Sequence, residues 1–217
     1  MMLKAASMTT YYQTRDNASQ IEALEKLAEE TRELINNIIE TAADANSLDQ
    51  VTKQLSVLNS QMQTLRSNKD QGRPLDHFNF KAAINEPQEI LPYSPVTGSF
   101  NPIAPKLNVT FDATTQILSG NVVCSRAYEG PPGMVHGAVI AAIYDQMLAM
   151  TSTCIGKGGP TAFLNTQFLK PTFLYQPLSF TSWIDKIEGR KIFIKGQCTF
   201  NDEIISTADA LCIEHRR

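Results

Sequence analysis

Apolar residues recur along this chain in distinct patterns, and each pattern predicts a different element. Over residues 17–68 the spacing is helical. Ile21, Leu24, Leu27, Leu34, Ile35, Ile38 and Ile39 form one broad stripe, with Glu22, Glu25, Glu29 and Glu33 outside it. A second stripe, Leu48, Val51, Leu55, Leu58, Met62 and Leu65, alternates steps of three and four. Ser47 stands three residues before Gln50 and predicts a capping box at the start of that second helix. Two readings stay open for residues 1–71: an α-hairpin packed on its own domain, or a coiled-coil-like contact between subunits. No titratable group interrupts either stripe, so this region is assigned no catalysis.

Beyond residue 106 short runs of strand character replace the helical pattern, over 107–111, 116–126, 162–169, 178–187, 191–200 and 204–214. Glu188-Gly189 and Asn201-Asp202 supply hairpin turns. Between the second and third runs, residues 138–150 are apolar on nearly every side, the mark of a buried helix. The expected architecture is therefore α+β: an antiparallel sheet wrapped round one helix over residues 106–217, preceded by an N-terminal helical extension. Residues 72–105 hold Pro74, Pro87, Pro92, Pro95, Pro102 and Pro105, which favour an extended connector over helix. Phe78, Phe80, Tyr93 and Phe100 are its expected anchors on the domain surface.

The central helix also carries the candidate chemistry. Its strongly polar side chains are Asp145 and Gln146, beside the Tyr144 hydroxyl. An acid in apolar surroundings is expected to have a raised pKa, which makes Asp145 a candidate for catalysis rather than solubility. The bland alternative is a helix residue exposed at a sheet edge. Gly137 falls where the helix should begin, after Pro131-Pro132-Gly133. Amides at a helix start lack intrahelical partners, and a glycine lets a ligand oxygen come close. Asp145 lies eight residues further on, roughly 12 Å along the axis. One helix cannot offer both groups to one carbonyl, since each must come within roughly 3 Å of its target. Two antiparallel copies about a two-fold axis can, so a catalytic motif of this kind implies a dimer.

Glu129-Gly130-Pro131-Pro132-Gly133, then His136-Gly137, then Asp145 nine residues after the histidine, resembles the hotdog-fold acyl-CoA thioesterases. The likeness is to the phenylacetate-degradation type and the mammalian thioesterase superfamily members, and it covers about residues 107–215. It implies that Asp145 serves as general base for water or as a nucleophile forming a mixed anhydride, and that the Gly137 amide receives the thioester oxygen. His136 would orient the loop or touch the thioester; tying down the loop is its structural alternative. Thr161-Ala162-Phe163-Leu164-Asn165 resembles the strand whose hydroxyl, here Thr161, holds the attacking water. The 185–191 run resembles a hairpin whose basic pair, Arg190 and Lys191, binds coenzyme A phosphates. Gln167 and Lys170 are weaker candidates for the same contact. The connector aromatics gain a second reading as a lid over the acyl pocket. One departure is Ala138, where the family usually has a second glycine; its methyl narrows the space beside the thioester.

Two rival functions follow from the same residues. A hotdog dehydratase or hydratase would pair a histidine with a carboxylate for proton transfer at carbon. A non-hydrolytic acyl-CoA-binding scaffold would oligomerise through residues 17–68. The expected reading is a homo-oligomeric thioesterase, dimer or dimer of dimers, with coenzyme A thioester as substrate and neither cofactor nor metal. Composition agrees with a globular domain: 217 residues, 42% hydrophobic and 19% charged, with a net charge of −3. No long basic run calls for nucleic acid, and Arg216-Arg217 is too short to form a patch. Cys124, Cys154, Cys198 and Cys212 lack zinc-ligand spacing and suit a reduced, cytoplasmic setting. Lys4 is followed by no continuous apolar segment, and no run is long enough for a membrane span.

Overall fold

A computed structural model of the chain describes residues 18–66 and 87–215. Lys4, Pro74, Phe78, Phe80 and Arg216-Arg217 lie outside the described residues. Two N-terminal helices, α1 (Ala18–Glu40) and α2 (Ala45–Thr64), precede six strands and a central helix. These are β1 (Asn108–Asp112), β2 (Ile117–Val123), α3 (Gly137–Cys154), β3 (Thr161–Phe168), β4 (Pro177–Glu188), β5 (Lys191–Phe200) and β6 (Glu203–Ile213). One sheet runs in the order β1-β2-β4-β5-β6-β3, and every neighbouring pair is antiparallel. α3 packs along it, and this is the hotdog arrangement. No helix among the described residues is long and apolar enough to cross a membrane.

The sheet admits α3 closely because two inner positions lack side chains. A Cβ on Gly120 would stand 2.9 Å from the Met147 sulfur, and one on Gly196 3.4 Å from the Tyr144 ring. Tyr144 is buried edge-on against Phe180, and its hydroxyl lies 2.9 Å from the Ser206 carbonyl, to which it donates. Hairpin turns follow the sequence closely. Asn201 and Asp202 both take positive φ, 50° and 63°, as a type I′ turn requires. At the β4–β5 hairpin the loop is Gly189-Arg190, one residue later than expected, because Glu188 still pairs with Lys191.

Gly159 allows a very close approach of two backbone segments. A Cβ there would sit 1.9 Å from the Ile213 carbonyl oxygen, so Gly159→Ala forces backbone to move. Its expected cost is about 3 kcal/mol of stability, the upper range for overpacking, read as a lower urea midpoint.

The four cysteines are buried and none is in a disulfide. Burial pushes the Cys124 thiol from its ordinary 9.0 up to about 11, and those of Cys154 and Cys198 to about 12. Below pH 9 these thiols are neutral whether the chain is folded or not. Above it, unfolded thiols ionise while buried ones keep their protons, so stability falls as pH rises from about 9 to about 12. Urea unfolding at pH 8 and at pH 10.5 should show the lower midpoint at the higher pH.

The helical extension differs from expectation in two ways. Asp44, not Ser47, caps α2: its carboxylate accepts the Ser47 amide at 2.9 Å. A carboxylate is a strong cap acceptor, so the helix starts three residues earlier than the Ser47 reading. The two helices also part company. Ala28 of α1 is buried, Arg32 donates to the carbonyls of Ala104 (3.1 Å) and Asn101 (3.3 Å), and Ser125 donates to Asn36 at 2.7 Å. By contrast, no residue of α2 is buried. Packing on the domain thus describes α1 alone. The described part of the connector is anchored: Ile90 is in the core, and buried Phe100 meets Tyr93 edge-on at 5.3 Å.

Candidate active site

The start of α3 is built by the loop before it. Glu129 takes the Gly133 amide on its carboxylate at 2.7 Å, and Gly130 comes so close to His136 that a Cβ would stand 2.8 Å from its Cα. The His136 amide donates to the Tyr128 carbonyl at 2.8 Å. His136 is then the N-cap, with its Nδ1 accepting the Ala138 amide at 3.0 Å. Its carbonyl accepts Val139 and Ile140, at 2.9 and 3.4 Å. Three of the first four amides of the helix are therefore engaged. The Gly137 amide alone has no acceptor among the described residues. Over it lies Phe168 at the end of β3, whose ring would stand 3.3 Å from a Cβ on Gly137.

Asp145 is exposed on the protomer, as are His136 and Ala138. This corrects the expectation of a wholly buried helix. α3 buries Ile140, Ile143, Tyr144, Met147 and Leu148 against its own sheet. The opposite face, with Ala138 and Asp145 exposed and Ala141, Ala142 and Ala149 partly so, is left open. Apolar residues here include many alanines, which cover a second face as well as they fill a core.

Thr161 sits at the other end of β3 from Phe168, its hydroxyl 3.9 Å from the Cys212 sulfur. Burial raises the Cys212 thiol, hydrogen bonds from Thr161 and Ser152 act against this, and the Asp145 charge adds to the rise. Asp145, Thr161 and Cys212 therefore share one neighbourhood. Next to it, Gln146 accepts the Ser94 hydroxyl at 3.1 Å, tying the connector to the helix. One protomer thus carries two candidate half-sites: His136-Gly137 under Phe168, and Asp145 with its charge felt at Cys212, toward the Thr161 end of β3.

The basic candidates divide between the ends of β6. Arg190 donates to the Glu214 carbonyl at 2.9 Å, and Lys191 pairs with Ile213 across the ladder. Lys170 is ion-paired with Glu203 at the opposite end, with Gln167 paired to Thr207 nearby. β6 is 11 residues long, roughly 35 Å at the strand rise. Within a protomer the two groups do not form one contact.

Two features escaped the sequence. Phe168 is seven residues from Thr161, an odd step that strict alternation would send to the opposite face. A bulge between Thr161 and Phe163 restores both to the inner face, opposite Cys212 and Ser206. Thr166 also faces inward, opposite Ala208, and its buried hydroxyl has no partner among the described residues. Removing an unsatisfied hydroxyl should cost nothing, so Thr166→Val is expected to hold or raise the melting temperature.

The chain is similar to known thioesterases. The thioesterase superfamily model matches residues 132–199, which span the half-site loop, α3 and β3 through most of β5. Over these residues the chain is similar to the thioesterase superfamily. Acyl-coenzyme A thioesterase THEM4 from Bos taurus is 35% identical over 88 residues, 40% of this chain and 36% of that protein. The Mus musculus THEM4 is 40% identical over 90 residues, 40% and 38% respectively. The chain thus spans under two fifths of the length of these curated relatives. A crystal structure of a thioesterase superfamily protein superimposes with a TM-score of 0.76 at 27% identity, covering 88% of this chain and 90% of that one. At that coverage the likeness extends past the thioesterase domain into the N-terminal half.

Proposed function

We propose that this chain hydrolyses an acyl-CoA thioester to free coenzyme A and a carboxylic acid, in a homodimer that completes each site from two protomers. The free Gly137 amide carries the reading: a helix start whose neighbouring amides are all engaged keeps one donor for an oxyanion. β3 suggests how the halves meet. It is a sheet edge without a charged residue, and Phe163 and Phe168 on it are each 53% exposed. Monomeric proteins guard such edges with charge, proline or cover. Antiparallel pairing of two β3 strands sets the Phe168 end of one against the Thr161 end of its partner. Gly137 of one protomer then faces Asp145 of the other, and the open faces of the α3 helices cover each other.

In this arrangement the thioester oxygen accepts the Gly137 amide as charge develops on it. Water held at Thr161 gives a proton to Asp145 and adds to the carbonyl carbon, or Asp145 itself adds and water cleaves the resulting anhydride. Either way the C–S bond breaks and the thiolate leaves as coenzyme A, with Arg190 and Lys191 toward its phosphates. A dehydratase is disfavoured because His136, the N-cap of α3 with its Nδ1 accepting the Ala138 amide, abuts the proposed Gly137 oxyanion donor rather than the carbon at which a proton would move. The test is a thiol-release screen over acyl-CoAs of varied chain length and aromaticity, with enoyl-CoA hydration measured in parallel. Free thiol from at least one substrate, without hydration, is the expected result. Tight acyl-CoA binding with no thiol release would favour the scaffold and overturn hydrolysis.

A further inference from the structure

The apolar stripe of α2 is uncovered in the protomer. Leu48, Val51, Leu58, Met62 and Leu65 are 43%, 49%, 46%, 38% and 73% exposed, with Leu55 half-buried. A contiguous apolar row of this kind marks an interaction surface. Its spacing says what covers it. Steps of three and four give a period of 3.5, the seam of a left-handed coiled coil, whose complement is another helix with the same seam.

The flanks of the seam say whose helix it is. With Leu48, Leu55 and Met62 at a and Val51, Leu58 and Leu65 at d, the e and g positions within the helix are Ser47, Thr52, Gln54, Asn59 and Gln61. None is charged; Arg66, the e step beside the C-cap Leu65, lies past the helix end at Thr64. The charged pair of α2, Asp49 and Lys53, lies at b and f on the outer face and is joined there at 2.7 Å. Coiled coils that select a different partner ordinarily do so through complementary e and g charges. This helix has none to match, and it meets its own image without like-charge repulsion. Twenty residues, about 30 Å of helix, are marginal as an isolated coil. Tethering to a folded domain raises the effective concentration of the two strands.

We propose that α2 of one protomer forms a coiled coil with α2 of a second copy of this chain. The contact is separate from the β3 edge and does not depend on the chemistry proposed above. It joins either the two protomers of one dimer or two dimers.

Cross-linking of the full-length protein by a short bismaleimide tests it. The four native cysteines are buried, so the introduced thiol dominates labelling. Leu55→Cys is expected to give a covalent dimer at least about tenfold faster than Lys53→Cys on the outer face, because the seam holds the two thiols together. Adding Leu58→Glu to Leu55→Cys should abolish the cross-link, and no residue of α2 is buried in the protomer, so the variant keeps its fold. With no charge on the seam, the rate should be the same at low and high salt. Equal cross-linking of Leu55→Cys and Lys53→Cys overturns the proposal. So does a Leu55→Cys product that contains another protein, or no product at all. Thiol release is measured separately, so failure here and failure of the hydrolase reading are distinguishable.

Discussion

Asp145→Asn lowers kcat/KM for thioester hydrolysis by at least about 100-fold, the scale expected of a lost general base. A lost nucleophile gives at least as large an effect. Asparagine keeps the size of the side chain and removes its charge. Because Asp145 is exposed on the protomer, the circular dichroism spectrum and melting temperature should stay close to wild type. The loss should fall mainly on kcat, since the carboxylate acts on water or carbonyl in the transition state rather than on the coenzyme A moiety. A variant that still turns over at a near-normal rate removes Asp145 from the mechanism. Single turnover in 18O-water separates its two roles, because only the anhydride route can place the label in the Asp145 carboxylate.

The elements of this site were legible to different depths, for physical reasons. A Pro/Gly loop leading into His-Gly announces a helix start, and α3 begins at Gly137 as its sequence requires. Strand positions and hairpins followed from alternation and from turn residues that tolerate positive φ. The exposure of Asp145 was hidden, because an apolar helix looks the same whether its second face is covered by its own sheet or by another protomer. Phe168 was hidden by the β3 bulge, which alters which face a residue occupies without any glycine or proline to mark it. The Asp44 cap was hidden because the Ser47–Gln50 spacing also fits a capping box, and hydrogen bonding alone distinguishes them. In α2 the heptad seam was plain; that it stays uncovered in the protomer was not, since packing depends on where the chain turns at residues 41–44.

Phe163→Glu should break the β3–β3 contact and abolish activity together. Phe163 projects from the open edge of β3, more than half exposed, so the protomer gives up little apolar burial in losing it. A carboxylate there acts as the guard that edge strands of monomers usually carry. Placed near a two-fold axis it also meets its own copy, and like charges across paired strands repel. With Leu58→Glu added to open the α2 contact, light scattering should report a monomer in place of the β3-mediated dimer, with the secondary structure unchanged. Thiol release should fall at least about 100-fold, because neither half-site is sufficient when each group must lie within roughly 3 Å of the thioester. Retained activity in a verified monomer would place both groups in one protomer, against the roughly 12 Å of helix between them. Subunit mixing then shows which groups cooperate. Gly137→Val, whose side chain meets the Phe168 ring, is expected to be inactive like Asp145→Asn. Co-refolded in equal amounts, half the dimers are mixed, each with one complete site, so activity returns to about one quarter of wild type if the site is shared across the interface. If both groups act within one protomer, mixing restores nothing.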